Sequence, residues 1–225
     1  MLDILYQDDD LIAINKPHGL LVHRSSIAAD TSEFALQLLR DQIQQTVYPA
    51  HRLDRKTGGI LLFTKNKEMD SLTQQLFADK SMIKTYWAIV RGYTDDEGII
   101  DYPLRKESGS LQEAVTRYRT LARAEIDLPF GKHATSRYAL VEVNPQTGRM
   151  HQIRKHFAHI FHPILADRPH GCNKQNKLWK ERFDMDTMML HARRLSFIHP
   201  RTKREVNIEA PLLAEFERVQ QILAL

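Results

Sequence analysis

The chain has 225 residues, 42% of them hydrophobic and 27% charged, which suits one large or two small globular domains and excludes a disordered chain. One cysteine excludes a disulfide framework, and no apolar run approaches the roughly 20 residues of a membrane span. The formal charge is +4, and acids stand in MLDILYQDDD where a signal peptide would carry lysines, so a cytoplasmic protein without a membrane segment is expected.

Taken in chain order, β-branched and aromatic residues predict a first strand over 11–15. Asp30, Thr31 and Ser32 then offer N-caps for a helix burying Phe34, Leu38 and Leu39. A strand over 59–65 follows, and Asn66 caps a second helix with Met69, Leu72 and Leu76 on one face. Strands are predicted over 85–91, 115–122 and 136–143. Met150, Ile153, Phe157 and Ile160 form the apolar stripe of a third helix. Strands over 189–197 and 205–208 precede a last helix after Pro211. Strands outnumber helices without regular alternation, which predicts an α+β fold with a mostly antiparallel or mixed sheet. No repeat or long linker divides the chain, so residues 1–225 are read as a single domain. No Gly-rich phosphate loop is present.

The charge is unevenly distributed. Residues 147–204 carry 13 Lys and Arg against 4 Asp and Glu, together with 7 of the 11 histidines. A one-sided basic segment suits a polyanion, because each neutralised phosphate releases condensed counterions. A solvated basic face is the plainer alternative.

Two segments could carry chemistry. In His51-Arg52-Leu53-Asp54-Arg55-Lys56-Thr57-Gly58-Gly59, cations flank a carboxylate just before a strand. They favour the ionised form of Asp54, which could then serve as nucleophile, base or ion-pair partner. Gly58-Gly59 permits a tight backbone or close ligand approach. By pattern alone, a surface salt-bridge cluster is the commoner case. In Thr147-Gly148-Arg149-Met150-His151-Gln152-Ile153-Arg154, a turn feeds the third helix. Arg154 follows the buried Ile153, at the edge of the core, where it could hold a carboxylate bidentately or snorkel to water. Histidines 151, 156, 159 and 162 lack the pattern of a metal site, and none is expected. Cys172 beside His170 reads as a small buried hydrophobe, and Met188, Met189 and Trp87 read as core.

HRLDRKTGGILLFTK resembles the segment around the catalytic aspartate of the pseudouridine synthases related to ribosomal large-subunit synthase A. ILYQDDDLIAINKPHGLLVH, KTYWAIVRG, AVTRYR, TGRMHQIRKHFAHIFHPILAD and LHARRLSFIHP follow that family's order over some 200 residues. VHRS, AHRLDR and FHPILADRPHG lean toward its tRNA-modifying members. The chain departs from the family pattern at Gly58, where serine is usual, and at Ala166-Asp167 and His170-Gly171.

The resemblance implies an RNA isomerase in which Asp54 is nucleophile and base, detaching uracil so that it rejoins ribose through C5. Arg154 would pair with Asp54, and Tyr86 would stack on the base, with a role for its hydroxyl in proton transfer left open. Arg52 would fill the gap left by the flipped nucleotide. His51 and Arg55 join it as RNA contacts, and Leu190 is assigned an apolar contact to the base. No metal or nucleotide cofactor is implied, since no atoms are added. The expected partner is tRNA, in its acceptor-stem–TΨC region, with large-subunit rRNA or both RNAs as the alternative. A monomer without an N-terminal RNA-binding domain is expected. The rival readings are a non-catalytic RNA-binding module and a metal-dependent hydrolase.

Overall fold

The computed structural model describes residues 1–23 and 33–225. Its elements run β1 (Asp3–Gln7), β2 (Leu11–Lys16), α1 (Ala35–Ile43), β3 (Tyr48–Pro49), β4 (Gly58–Thr64), α2 (Lys67–Ala78), β5 (Ile83–Arg91) and β6 (Glu97–Asp101). They continue with β7 (Leu104–Arg105), β8 (Leu111–Gln112), β9 (Val115–Ile126), β10 (Ser136–Pro145), α3 (Gln152–His159), α4 (Asn173–Phe183), β11 (Leu190–Ile198), β12 (Glu205–Glu209) and α5 (Ala214–Leu223). The chain forms two units, one of Met1–Lys84 with His191–Leu213 and the other of Thr85–Leu190 with Ala214–Leu225.

In the first unit β1, β2 and β4 pair antiparallel. β11 joins β4 in parallel at His191↔Gly58, and β12 returns antiparallel along β11. Every residue of β2 and β4 is buried, which is why both read as near-continuous apolar runs. α2 packs on β4 and starts where expected: the Asn66 side chain accepts a hydrogen bond from Met69 N at 2.8 Å. Met69 beneath it is wholly buried, while Leu72 and Leu76 are half-buried.

In the second unit β5, β10, β9 and β6 form an antiparallel series, and β7 and β8 form a small hairpin. α3 packs on β9 and β10, with Phe157 against the Tyr118 ring at 5.4 Å. α4 is pinned to β10 by Trp179, whose indole N–H donates to the Tyr138 hydroxyl at 2.7 Å while the two rings meet edge-on. α5 buries Phe216, Val219 and Leu223.

The fold is α+β around mixed strands, with β4 and β11 supplying the parallel pairing. Each strand expected from sequence is present. β1 escaped the reading because its side chains are half-exposed and carry no clear alternation. α4 escaped because only Gln175 and Trp179 are buried in an otherwise polar run. The caps expected at Asp30, Thr31 and Ser32 lie outside the described residues, as do Arg24 and Ser25 of VHRS. α1 begins with Phe34 as an extended N-cap and buries Ala35 and Leu39, leaving Leu38 half-buried. Among the described residues no helix is long and apolar enough to cross a membrane.

Candidate active site

Asp54 sits half-buried in the loop joining β3 to β4, between buried Leu53 and the exposed Arg55 and Lys56. Its own carbonyl accepts from Thr57 N at 3.0 Å, closing a tight turn. The turn runs straight into Gly58 and Gly59, and the backbone demands glycine at Gly59. Gly59 has φ +99, and a Cβ there would lie 2.3 Å from the Ala192 carbonyl oxygen. A Cβ on Gly58 would meet Leu213 Cδ1 at 2.5 Å and His18 Nε2 at 2.7 Å. Gly59 therefore serves close backbone packing on β11, and at Gly58 the His18 and Leu213 side chains take the space where a serine is usual. At Gly59 the exit of the loop is thus fixed by a backbone contact that admits no side chain.

Its other attachments converge on backbone. Arg55 O accepts from Gly19 N at 2.8 Å, and Arg55 Nε donates back to Gly19 O at 3.0 Å. Lys16, wholly buried, donates from Nζ to the carbonyls of Pro17 (3.0 Å), Leu20 (2.9 Å) and Arg55 (3.2 Å). Burial lowers the Lys16 ammonium to about 7, against the attraction of the Asp54 carboxylate, which holds the proton on. Sequence reasoning missed Lys16. Its one signal was a lysine closing the apolar run LIAIN before a proline.

Histidine plays a local part on both sides of the loop. His51 Nε2 accepts from Leu62 N at 3.1 Å, and its Nδ1–H donates to Arg52 O at 3.2 Å. Burial, with Lys84 nearby, lowers its pKa to about 4 despite the Arg52 bond, so the ring is neutral at pH 7. His51 therefore shapes the loop through its backbone. His191, paired in register with Gly58 and wholly buried, is lowered to about 3 by burial and by the neighbouring His18 and Arg193.

In the second unit, Arg154 lies on α3 with its side chain 8% exposed and grips Asp167, which is 1% exposed. Nε and Nη2 each donate to one carboxylate oxygen at 2.8 Å, and His170 N adds a bond to Asp167 Oδ1 at 3.3 Å. The bidentate grip read from the residues is present, on Asp167, and it replaces snorkelling. α3 is aimed by Gln152, another residue that sequence reasoning missed. Gln152 Nε2 donates to Val115 O and Thr116 Oγ1 at 2.9 Å, while its Oε1 accepts from Arg149 N and Thr147 Oγ1. Asp167 follows Ala166, whose φ is +62 where the family pattern has glycine. Asn176 of α4 steadies that turn, accepting from Ala166 N at 3.0 Å and donating to Asp167 O at 2.8 Å.

The expected site residues therefore fall in two sets. His51, Arg52, Asp54 and Arg55 share one loop of the first unit. Tyr86, half-buried on β5 and in register with Val143, belongs to the second unit with Arg154 and Leu190, which is 3% exposed. Met188 and Met189 are core, as expected, whereas Trp87 and Cys172, also expected to be buried, are half-exposed. His151 and His170 share a hydrogen bond of 3.0 Å, but among the described residues no three His, Cys, Asp or Glu side chains gather as a metal-holding group.

The first unit presents Asp54 from a basic loop, and the second holds Arg154 of α3 on the Asp167 carboxylate. Residues 10–159 match the RNA pseudouridylate synthase family, and the chain belongs to that family of pseudouridine synthases. It is 46% identical to the tRNA pseudouridine synthase C of Vibrio cholerae over 94% of the chain and 91% of that protein. With the tRNA pseudouridine synthase C of Haemophilus ducreyi the identity is 48%, over the same shares. Among solved structures, human RNA pseudouridylate synthase domain containing 4 superposes with a TM-score of 0.75 at 27% identity, over 99% of this chain and 93% of that one. The motif resemblance thus holds at the level of the family, and the enzyme is an isomerase.

Proposed function

We propose that this pseudouridine synthase acts on a uridine of tRNA, in the acceptor-stem–TΨC region, as a cytoplasmic monomer. The observation that carries the tRNA reading is near-full-length identity of 46–48% to enzymes named for tRNA. Asp54 is the nucleophile and base. The N1–C1′ bond breaks, the C5–C1′ bond forms, the C5 hydrogen leaves as a proton and N1 takes one up, so no atom is added and no cofactor is needed. Arg154, held in its fork by Asp167, orients Asp54. Tyr86 stacks on the extruded base, Leu190 gives it an apolar contact, and Arg52 occupies the vacated stack. Arg55 contributes a phosphate contact, and His51 holds the loop.

The test is release of the uridine C5 hydrogen from labelled, unmodified tRNA and large-subunit rRNA transcripts incubated separately. Conversion of tRNA is expected. Asp54→Asn should lower it on the order of 10^4-fold or more while leaving RNA affinity within about twofold, because the amide keeps the shape and loses the charge. Modification of rRNA alone overturns the tRNA reading, and appreciable turnover by the Asn variant removes Asp54 from its role.

A further inference from the structure

α4 presents two unlike faces. Gln175 and Trp179 point into the protein and close on the Tyr138 hydroxyl. Asn173, Asn176, Lys177 and Lys180, spaced i, i+3, i+4 and i+7, share the other stripe and line a recess of about 400 Å³. A helix packed against protein along such a stripe would carry leucines there. Here it carries amides and ammonium groups, and Arg168 from the facing loop adds a third cation over a floor that includes Met185. Asp186 is the acid in the lining, 3.7 Å from Lys180. The volume lies at the small end of the ~300–1,000 Å³ of ligand clefts, enough for a nucleotide's sugar and phosphate.

We propose that this recess is a backbone subsite for the RNA substrate, in which Arg168, Lys177 and Lys180 hold a phosphodiester. The proposal rests on the RNA-modifying reading above and adds where the RNA is gripped. Two exposed lysines and an arginine around a concave wall match a diffuse anionic backbone. A contact of this kind positions the RNA without reading its sequence. The recess also shares its wall with the site: Asn176 ties α4 to the Ala166-Asp167 turn, and Asp167 grips Arg154. A phosphate drawn against α4 therefore registers the RNA on the same backbone that sets the arginine.

The experiment measures equilibrium binding of unmodified tRNA transcript by the full chain across a salt series. Lys177→Glu/Lys180→Glu should weaken binding at least tenfold at 0.15 M salt. The slope of log affinity against log salt should fall by about 0.7–0.9, the value for one lost phosphate contact. A charge-matched variant elsewhere on the unit, Lys106→Glu/Lys132→Glu, should weaken it less than threefold. Both lysines of the recess are exposed, so an unchanged melting temperature is expected and checked; Lys177→Ala/Lys180→Ala gives the milder effect if the glutamates disturb the helix. Affinity within twofold of wild type, or an equal loss in the charge-matched variant, overturns the subsite. Failure of wild-type enzyme to convert any RNA would instead remove the functional reading itself.

Discussion

The Asp54 loop and the Arg154 helix hold their functional groups by opposite means. Asp54 is set by main chain: a turn closed at Thr57, two glycines pressed on β11, and a buried lysine that ties three carbonyls together. Its own side chain is half-buried. Arg154 is set by side chains, through a buried carboxylate that takes two of its N–H groups. The difference predicts where each tolerates change. Around Asp54 backbone shape is unforgiving, and the carboxylate adds its attraction for the buried Lys16 ammonium. Around Arg154 the charge partner is indispensable and the backbone is not.

The largest expected effect breaks the second arrangement. Asp167→Ala leaves a guanidinium buried without its carboxylate, and removing one partner of such a pair costs about 3–5 kcal/mol. Chemical denaturation should show that loss, with turnover falling in parallel. Arg154→Lys keeps a charge but not the planar fork, and should also lose turnover heavily with little change in RNA affinity. Asp54→Asn supplies the contrast, with turnover gone and stability within about 1 kcal/mol of wild type. An Asp167→Ala protein as stable as wild type would mean that the pair does not hold the helix.

The first arrangement is tested at its glycines. Gly59→Ala meets both a φ of +99 and a carbonyl oxygen 2.3 Å from the new Cβ. Strain and overlap together should cost roughly 3 kcal/mol. Gly109→Ala, at φ +91 with nothing within 4 Å, carries the strain without the overlap and should cost only about 1 kcal/mol. Equal costs at the two positions would show that close approach to β11 is not what demands Gly59.

Much of this contrast could be read before the fold was known, and the unread part has a common cause. The loop around Asp54 and the helix bearing Arg154 announce themselves by charge placed beside strong local patterns, a strand in one case and an apolar stripe in the other. Tyr86 has no such signal, since an aromatic on a strand reads as packing, and it entered through resemblance alone. Lys16, Asp167 and Gln152 were invisible because their partners are distant in sequence: Lys16 meets Arg55 across 39 residues, and Gln152 meets Val115 across 37. Periodicity reports which face of an element is buried, and says nothing of which polar group from another element will satisfy it. Gly58 was legible as a departure, while its reason, His18 and Leu213 in the vacated space, needed the tertiary structure.

The smallest effect concerns pH, and it returns to the loop. His191 is buried beside Gly58 with its pKa near 3, lowered by burial and by its neighbours His18 and Arg193. In the unfolded chain the same ring titrates near 6.5. As pH falls below about 6.5 the unfolded state therefore takes up the proton first and is favoured. The stability that His191 contributes as a neutral ring is complete above that pH and drains away toward about 3, at about 1.4 kcal/mol per pH unit. His51, lowered to about 4, adds to the loss with the same sign. Urea midpoints measured from pH 7.5 to 4.5 should fall steadily. In His191→Gln, which cannot take a proton, the curve should be shallower by about one histidine's share, even if the variant starts from a lower stability at pH 7.5. Parallel curves for the two proteins would show that His191 carries its proton in the fold, and that the packing against Gly58 leaves room for charge.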